Sequence, residues 1–210
     1  MRVLLTAGGT REPIDDVRYV TNAATGALPA AMAKLLLAQG FTVEYLHGPG
    51  AILPPNHPQL HLHPIETAQN AADKLAKLCK TLQPEFVACA MAVADFAPDK
   101  HAGKLSSQGG TLTLVLHPTP KTIDAVKQNA PETNLLGFKL LSDATEPELL
   151  EAAKTLMQRS QANLVFCNDM ADVRRGVRRG LLVDPHGQVQ RLAGGTLEQL
   201  AAEIVQAWMG

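Results

Sequence analysis

Apolar residues recur along this chain at two spacings, and the spacing changes from one segment to the next. Short runs of aliphatic and β-branched residues are typical of buried strands, whereas apolar residues at every third or fourth position are typical of amphipathic helices. The runs predict strands at residues 3–7, 41–46, 60–65, 85–93, 112–116, 134–140 and 164–169. The helical spacing predicts helices that begin near Leu28, Thr67, Ile123, Thr145 and Thr196.

Strands and helices therefore alternate, and a β-hairpin that turns at residues 184–187 precedes the last helix. This order predicts an α/β fold, with a Rossmann-like, mostly parallel sheet flanked by helices and an antiparallel β extension. No linker or repeat divides the chain, so we expect residues 1–210 to form a single domain. Residues 97–110 have no apolar period, and we interpret them as a mobile flap that carries Lys100 and Lys104.

The first strand stops at Gly8-Gly9, and a polar loop follows it as far as Thr25-Gly26, where the first helix begins. Glycine lets the backbone adopt positive φ and lets a ligand approach closely. Free N–H groups and the helix dipole favour an anion at a helix N-terminus, so this stretch predicts a phosphate or nucleotide site. The loop is too long for the Gly-x-Gly-x-x-Gly turn of an NAD(P)-dependent reductase, which is the alternative within this fold class.

Other polar residues carry weaker signals. Asp95 follows the apolar run 85–93, where open α/β sheets bind ligands, although a capping or turn role is equally expected there. His61 and His63 share one strand face, but a catalytic zinc site needs three protein ligands, so we interpret them as surface or hydrogen-bonded histidines. The basic cluster Arg174–Arg179 favours a solvated surface over a phosphate site. No Gly-x-Ser-x-Gly motif or Cys/His nucleophile context is present.

Composition narrows the function further. The chain is 46% apolar, and its 19 basic and 20 acidic residues give no uniform charge that would favour nucleic acid or an anionic membrane. Aromatic residues, at 4%, are too few for base-stacking surfaces. We find no signal peptide and no apolar run of about 20 residues. Three isolated cysteines, Cys79, Cys89 and Cys167, are typical of a reducing compartment, so we expect a cytoplasmic protein.

Several motifs occur in register along nearly the whole chain. They are Gly8-Gly9-Thr10-Arg11-Glu12-Pro13-Ile14-Asp15-Asp16-Val17-Arg18, Asn22-Ala23-Ala24-Thr25-Gly26, Ala92-Val93-Ala94-Asp95-Phe96, Gly103-Lys104-Leu105-Ser106-Ser107, Pro118-Thr119-Pro120-Lys121-Thr122-Ile123, Gly137-Phe138-Lys139-Leu140-Leu141 and Asn168-Asp169. Together they resemble the phosphopantothenoylcysteine synthetase (phosphopantothenate–cysteine ligase) family, in its stand-alone bacterial form. One such motif would be a weak signal, but their shared order makes the resemblance strong.

The resemblance implies a ligase of coenzyme A biosynthesis. It would join 4′-phosphopantothenate to L-cysteine and cleave CTP to CMP and pyrophosphate through an acyl-cytidylate. The resemblance also implies Mg²⁺ that accompanies CTP, no flavin, and a homodimer whose interface includes the antiparallel extension.

The resemblance also assigns roles to individual residues. Lys104 would stabilise charge on the α-phosphate, Asn22 would hold the carbonyl of the intermediate, and Arg18 would organise that pocket. Asp95 would bind the ribose or organise magnesium, and no residue is assigned as a direct metal ligand. The implied nucleotide-binding residues are Gly8, Gly9, Thr25, Gly26, Asp95, Thr119, Pro120, Lys121, Thr122, Phe138 and Asn168.

This sequence also departs from the family pattern. Two polar positions after Asn22 are alanines, a glycine is replaced by a proline that lacks an N–H, and lysines that many relatives carry before Asn168 are absent. The replacements are Ala23, Ala24, Pro29, Leu156 and Ser160, with Lys154 and Arg159 as possible substitutes for the lysines. The departures leave open whether CTP or ATP is used, and they motivate a non-catalytic nucleotide-binding relative as an alternative.

Overall fold

The computed structural model describes all 210 residues and is organised around one central sheet. Its strands, with those of two short ribbons beside it, are β1 (Arg2–Ala7), β2 (Arg11–Pro13), β3 (Tyr19–Thr21), β4 (Thr42–His47), β5 (Leu60–Pro64), β6 (Phe86–Cys89), β7 (Phe96–Pro98), β8 (Leu116–Pro118), β9 (Asn134–Leu141), β10 (Leu164–Asp169), β11 (Gly180–Val183) and β12 (Val189–Leu192). The helices are α1 (Ala27–Ala38), α2 (Ala68–Leu82), α3 (Asp124–Asn129), α4 (Glu146–Ser160), α5 (Met170–Arg174) and α6 (Leu197–Met209).

The central sheet has eight strands in the order β12-β11-β10-β9-β6-β1-β4-β5. The six strands from β10 to β5 pair in parallel, whereas β11 and β12 continue the sheet as an antiparallel hairpin. Helices α1 and α6 cover one face with an apolar cluster, and α2, α3 and α4 cover the other face with a second cluster. The predicted fold, a Rossmann-like, mostly parallel sheet with an antiparallel extension, is confirmed.

The apolar sequence of β1 suits its position in the middle of the sheet. Its residues from Val3 to Ala7 are buried, and a strand covered by helices on both faces requires a nearly continuous apolar sequence. The longer helices begin at the capping residues that the sequence predicts. The Thr67 hydroxyl accepts a hydrogen bond from the backbone N–H of Asn70, and Thr145 and Thr196 each form a capping box.

Two predicted strands differ from those observed. The apolar run 85–93 forms a strand only over Phe86–Cys89, because the backbone beyond Cys89 leaves β9 and hydrogen-bonds to the β1 side of the sheet. Residues 112–115, predicted as strand, have no strand partner within the chain. The antiparallel pairing begins only at Leu116, where β8 pairs with β7 in a ribbon beside the main sheet.

The histidines of β5 are hydrogen-bonded, as the sequence favours. His61 Nδ1 lies 2.9 Å from Glu44 Oε1, and His63 Nε2 lies 2.7 Å from Glu44 Oε2. Burial acts to raise the pKa of the Glu44 carboxyl, but hydrogen bonds from His63 and His61 bring it below its usual value. The two histidines therefore provide hydrogen-bond partners for the buried carboxylate of Glu44 on the neighbouring strand β4.

The arginine cluster after α5 has a structural role in part. Asp172 is buried, and it accepts hydrogen bonds from Arg175 Nη2 at 2.8 Å and from Arg179 Nε at 2.6 Å. These bonds join α5 to the start of β11.

None of the six helices combines the length and the apolar content that a bilayer span requires.

Candidate functional site

A cleft of about 1000 Å³ opens at the carboxyl ends of β1, β6, β9 and β10. From β1 the chain continues outward to β4 and β5, whereas from β6 it continues in the opposite direction to β9 and β10. Open α/β sheets bind ligands at such a topological switch point, because the connections diverge there and leave a crevice. The volume is at the upper end of the range for small-molecule sites.

Two buried threonines hold the floor of the cleft. The hydroxyl of Thr6 accepts a hydrogen bond from the backbone N–H of Met91 at 3.0 Å, and that of Thr10 accepts one from Ala94 at 3.0 Å. The chain after β6 is thereby fixed against the end of β1, directly before Asp95. Sequence reasoning missed both threonines, although a hydroxyl at the end of an otherwise apolar strand is a signal for a backbone hydrogen bond.

The glycine corner after β1 is packed against the protein's own chain. Gly8 has φ of +75°, and a Cβ placed there would lie 2.6 Å from the Cβ of Ala51. A Cβ at Gly9 would lie 2.8 Å from the carbonyl oxygen of Asn22, and one at Gly26 would lie 2.9 Å from the backbone nitrogen of Gly8. Close packing of these segments therefore requires glycine here, and the role of Gly8 and Gly9 in nucleotide binding stays a prediction.

The N-terminus of α1 faces the cleft. Gly26 caps it in the left-handed conformation, and Ala24, Leu28 and Pro29 line the cleft wall. Pro29 has no N–H, and the N–H of Ala27 points toward the Thr25 hydroxyl at 3.4 Å. The first turn thus offers an anion fewer backbone donors than an ordinary helix start.

Asn22 lies beside the floor of the cleft. Its side-chain amide donates a hydrogen bond of 3.1 Å to the carbonyl oxygen of Val93, which lines the cleft. Two residues further on, Asp95 lines the cleft as well and forms an ion pair with Lys121, whose Nζ is 2.5 Å from Asp95 Oδ1. The backbone N–H of Thr119 donates to the carbonyl oxygen of Asp95 at 3.0 Å, which ties the segment before α3 to this wall.

The wall opposite α1 is formed by β9, β10 and α4. Phe138 packs edge-on against Phe166, with ring centroids 5.7 Å apart, and Asn168 lies at the end of β10. Arg159 of α4 lines the cleft and pairs with Asp124 at 3.1 Å.

The other α4 positions of interest do not offer a cation to the cleft. Leu156 and Ser160 are buried, with the Ser160 hydroxyl donating to the Leu156 carbonyl oxygen, and Lys154 is exposed outside the cleft lining. Arg159 is therefore the one of the two suggested substitutes that reaches the cleft.

The cleft also contains a cysteine, Cys89, at the end of β6. Burial raises the pKa of its thiol, so Cys89 stays protonated and is a poor nucleophile.

Residues 97–110 are tied to the opening loop. The Asp15 carboxylate accepts hydrogen bonds from the backbone N–H groups of Val17, Arg18 and Leu105. Arg18 Nη2 donates to the Leu105 carbonyl oxygen at 3.0 Å. These bonds to Leu105 anchor residues 97–110 to the opening loop. Lys104, immediately before Leu105, is exposed and has no ion pair or hydrogen bond.

The structure therefore divides the predicted site residues into three groups. The cleft lining contains Asp95, Pro120, Lys121, Thr122, Phe138 and Asn168. Asn22, Thr25 and Thr119 lie next to lining residues, either in sequence or through a hydrogen bond, and Gly26 lies between the lining residues Ala24 and Leu28. Gly8 and Gly9 pack behind the lining, and Arg18 and Lys104 belong to the junction between the opening loop and residues 97–110.

The acidic side chains of the cleft suit a cation that arrives with a phosphate ligand. No three His, Cys, Asp or Glu side chains converge as a metal site. Asp95 is the carboxylate on the cleft floor, and only one of its oxygens is held by Lys121. Magnesium in nucleotide sites is commonly bound by one or two carboxylates together with the phosphates, which is an arrangement that Asp95 fits.

Comparison with known proteins identifies similar chains. The model of the DNA/pantothenate metabolism flavoprotein C-terminal domain family matches residues 1–209. A coenzyme A biosynthesis bifunctional protein CoaBC from Thermococcus kodakarensis is 34% identical over 169 residues, which is 80% of this chain and 41% of that protein. The chain thus spans about two fifths of the length of this relative.

Two solved structures share the fold along the whole chain. The DNA/pantothenate metabolism flavoprotein from Streptococcus pneumoniae is 28% identical with a TM-score of 0.90, and the match covers 100% of this chain and 98% of that one. The C-terminal domain of a coenzyme A biosynthesis bifunctional protein CoaBC is 25% identical with a TM-score of 0.79, and the match covers 99% and 94% of the two chains.

The carboxylate of Asp15 gives a test of how residues 97–110 are held. In Asp15→Asn, Oδ1 still accepts the bonds from Val17 and Arg18, but the acceptor for the Leu105 N–H is lost. We expect proteolytic cleavage within residues 97–110 to become about fivefold faster at neutral pH, since one charge-assisted hydrogen bond is removed. Asp73→Asn, on the exposed side of α2, is the control, and equal cleavage of both variants would contradict this account.

The same bond predicts a pH dependence for the unmodified protein. Hydrogen bonds from backbone N–H groups, of which that from Val17 has the largest effect, hold the pKa of Asp15 below its ordinary value of 3.8. A lowered pKa means that the anchor is intact above the ordinary value and is lost as the pH falls through the value in the folded protein. Pepsin cleavage of residues 97–110 should therefore accelerate only below pH 3.8, and Asp15→Asn should lack this acceleration.

Proposed function

Because the chain belongs to the DNA/pantothenate metabolism flavoprotein C-terminal domain family, we propose that it joins 4′-phosphopantothenate to L-cysteine in coenzyme A biosynthesis. CTP is the cosubstrate and is cleaved to CMP and pyrophosphate. The name of the 34% identical relative, a coenzyme A biosynthesis bifunctional protein, supports the pathway. The observation that carries the proposal is the switch-point cleft, which is lined by the Asp95–Lys121 pair and has the Asn22 amide beside its floor.

The first half-reaction activates the pantothenate carboxylate. One carboxylate oxygen attacks the α-phosphorus of CTP, the bond to the bridging oxygen of pyrophosphate breaks, and an acyl-cytidylate forms. Negative charge increases on the α-phosphate oxygens during this step, so an ammonium group close to them lowers the barrier. Lys104 supplies that charge when residues 97–110 close over the cleft, and closure also excludes water from the hydrolysable anhydride.

The second half-reaction forms the amide. The cysteine amine attacks the acyl carbon, CMP leaves with the electron pair of the carbon–oxygen bond, and the amine proton passes to solvent or phosphate. Asn22 holds the acyl carbonyl through its side-chain N–H. The amide nitrogen of Asn22 now donates to Val93, so substrate binding exchanges one carbonyl acceptor for another in the same place.

The nucleotide occupies the side of the cleft near α3 and β9. Residues 119–122 and Phe138 hold the base, Asp95 contacts the ribose or the magnesium that accompanies CTP, and the N-terminus of α1 at Thr25-Gly26 faces the phosphates. Magnesium, when bound with the nucleotide, neutralises phosphate charge. No flavin takes part, because the proposed chemistry contains no redox step.

We further propose that the protein works in the cytoplasm. Its three cysteines are free, and burial raises the pKa of Cys79 to about 12 and that of Cys167 to about 11. Unreactive buried thiols without disulfides are what a reducing compartment favours.

A homodimer is also part of the proposal. The single chain leaves apolar side chains exposed on and beside the β7–β8 ribbon, and the most exposed of them, Val115, has 68% of its surface accessible. The others are Phe96, Leu112, Leu114 and Leu116. A segment with strand-like alternation and no partner within the chain is suited to pairing with a second copy. This surface is an alternative to the β11–β12 extension as the dimer interface.

The activity is tested by pyrophosphate release. We expect release from CTP to require phosphopantothenate, and to be sustained over many turnovers only when cysteine is also present. A panel of CTP, ATP, GTP and UTP in the same assay determines nucleotide preference. Binding of CTP in calorimetry without any turnover would support a non-catalytic relative instead, which is the alternative motivated by Ala23, Ala24 and Pro29.

The assignment of Lys104 is tested by Lys104→Gln. Removing a charge that acts in the transition state should reduce kcat by about 100-fold and leave thermal stability unchanged, because Lys104 is exposed and has no ion pair or hydrogen bond in the free protein. Lys100→Gln is the matched control, since Lys100 lies in the same segment but forms only an exposed ion pair with Asp16. Equal kcat values for the two variants would reject the role of Lys104.

The interface is tested by light scattering on two variants. The unmodified protein should have about twice the 22.4 kDa mass of one chain. Val115→Asp should give a monomer if the surface around residues 112–116 is the interface, because a charge would then be buried without a partner. Val177→Asp, next to the β11–β12 extension, should dissociate the dimer if the extension is the interface. A monomeric unmodified protein would refute the homodimer.

A further inference from the structure

The cleft is lined by three cations, and they differ in whether a carboxylate neutralises them. Lys121 Nζ lies 2.5 Å from Asp95 Oδ1, and Arg159 Nε lies 3.1 Å from Asp124 Oδ1. Lys139 lines the same cleft, is partly buried, and has neither an ion pair nor a hydrogen bond. It is therefore the cleft cation whose charge is left uncompensated in the free protein.

The position of Lys139 in β9 explains how it reaches the cleft. Side chains alternate along a strand, so Lys139 shares a face with Leu135 and Gly137, which is the face covered by α3 and α4. The space beside Gly137 is filled by Leu156 of α4 and Ile123 before α3. Two residues further along the strand, Lys139 lies beyond this packing, at the edge where the cleft opens.

Carboxylates of α4 also line the cleft near this edge, but they do not neutralise Lys139. Glu148 is engaged in the capping box with Thr145, whose hydrogen bonds hold the pKa of the Glu148 carboxyl below its usual value. Glu151 is exposed and is outside ion-pairing distance of any lysine or arginine. An ammonium that is partly desolvated and unpaired gains more from binding an anion than one that must first break a salt bridge.

We propose that Lys139 binds the phosphate chain of the nucleotide and determines how strongly the cleft prefers the triphosphate to the nucleoside. The inference rests on the proposed function, because a nucleotide must occupy this cleft. Phe138, the neighbouring residue, is assigned to the base, and Lys139 lines the same cleft from the end of the same strand. Backbone donors at the first turn of α1 are reduced by Pro29, which increases the share of phosphate binding that falls to side-chain cations.

The test compares the binding of CTP and cytidine to Lys139→Gln. We expect the Kd for CTP, measured by calorimetry, to rise about tenfold or more, since a charge-assisted hydrogen bond to phosphate is lost. The Kd for cytidine, which has no phosphate, should stay the same. The thermal midpoint without ligand should also be unchanged, because Lys139 has no partner to lose.

Two further variants separate a phosphate contact from a structural role. Lys139→Arg keeps the charge and should retain most of the CTP affinity, whereas a packing role would not be rescued in this way. Lys154→Gln removes a lysine on the exposed side of α4 and should leave binding unchanged. Unaltered CTP affinity in Lys139→Gln, or an equal loss for CTP and cytidine, would overturn the inference.

The binding measurement keeps this inference distinct from the proposed ligase activity. An unmodified protein that binds CTP but releases no pyrophosphate refutes the ligase, and Lys139 is still judged by its effect on the CTP affinity. If the unmodified protein releases pyrophosphate and Lys139→Gln binds CTP equally well, the ligase stands and the inference fails. An unmodified protein that binds neither CTP nor ATP refutes both.

Discussion

The attachment of the chain after β6 to the end of β1 is the constraint on which the cleft depends. Buried hydroxyls of Thr6 and Thr10, and the carbonyl oxygen of Gly8, accept hydrogen bonds from the backbone of residues 91–94. A strand that continued straight through Ala94 would fill the crevice at the switch point. Because these bonds turn the chain aside, Asp95 emerges on the cleft floor, and the Val93 carbonyl oxygen becomes available to Asn22.

The same constraint explains the glycines of the opening loop. Their absent side chains make room for neighbouring backbone and for Ala51, so the corner is filled by protein. A ligand that occupies the cleft therefore meets the wall formed by α1, the segment before α3, and the ends of β9 and β10. The glycine-rich turn acts chiefly by bringing α1 and the residues after β6 close together, and the chemistry falls to side chains on the other elements.

Sequence reasoning predicted the sheet, the caps of the longer helices and six residues of the cleft lining, because each of these is encoded by local periodicity or by a motif at a strand end. It overestimated the strand at residues 85–93, since an apolar run does not reveal that Thr6 and Thr10 will compete for its backbone N–H groups. It also predicted a strand at residues 112–116, of which only Leu116 pairs within the chain, whereas residues 112–115 alternate without a partner strand there. Both errors have one cause: hydrogen-bond partners distant in sequence are not visible in local pattern.

The charges of the cleft connect the departures from the family pattern to the way this chain would handle a triphosphate. Lys121, Lys139 and Arg159 balance Asp95, Glu148 and Glu151 in the lining, so the cleft has little net charge of its own. A tetra-anionic nucleotide therefore gains affinity from cations that it can engage without breaking existing pairs, and from magnesium bound with it. With alanines at positions 23 and 24 and a proline in the first turn of α1, fewer hydroxyl and N–H donors remain on that side. Under the proposed function, phosphate recognition in this chain would depend less on the helix N-terminus and more on Lys139 on the opposite wall.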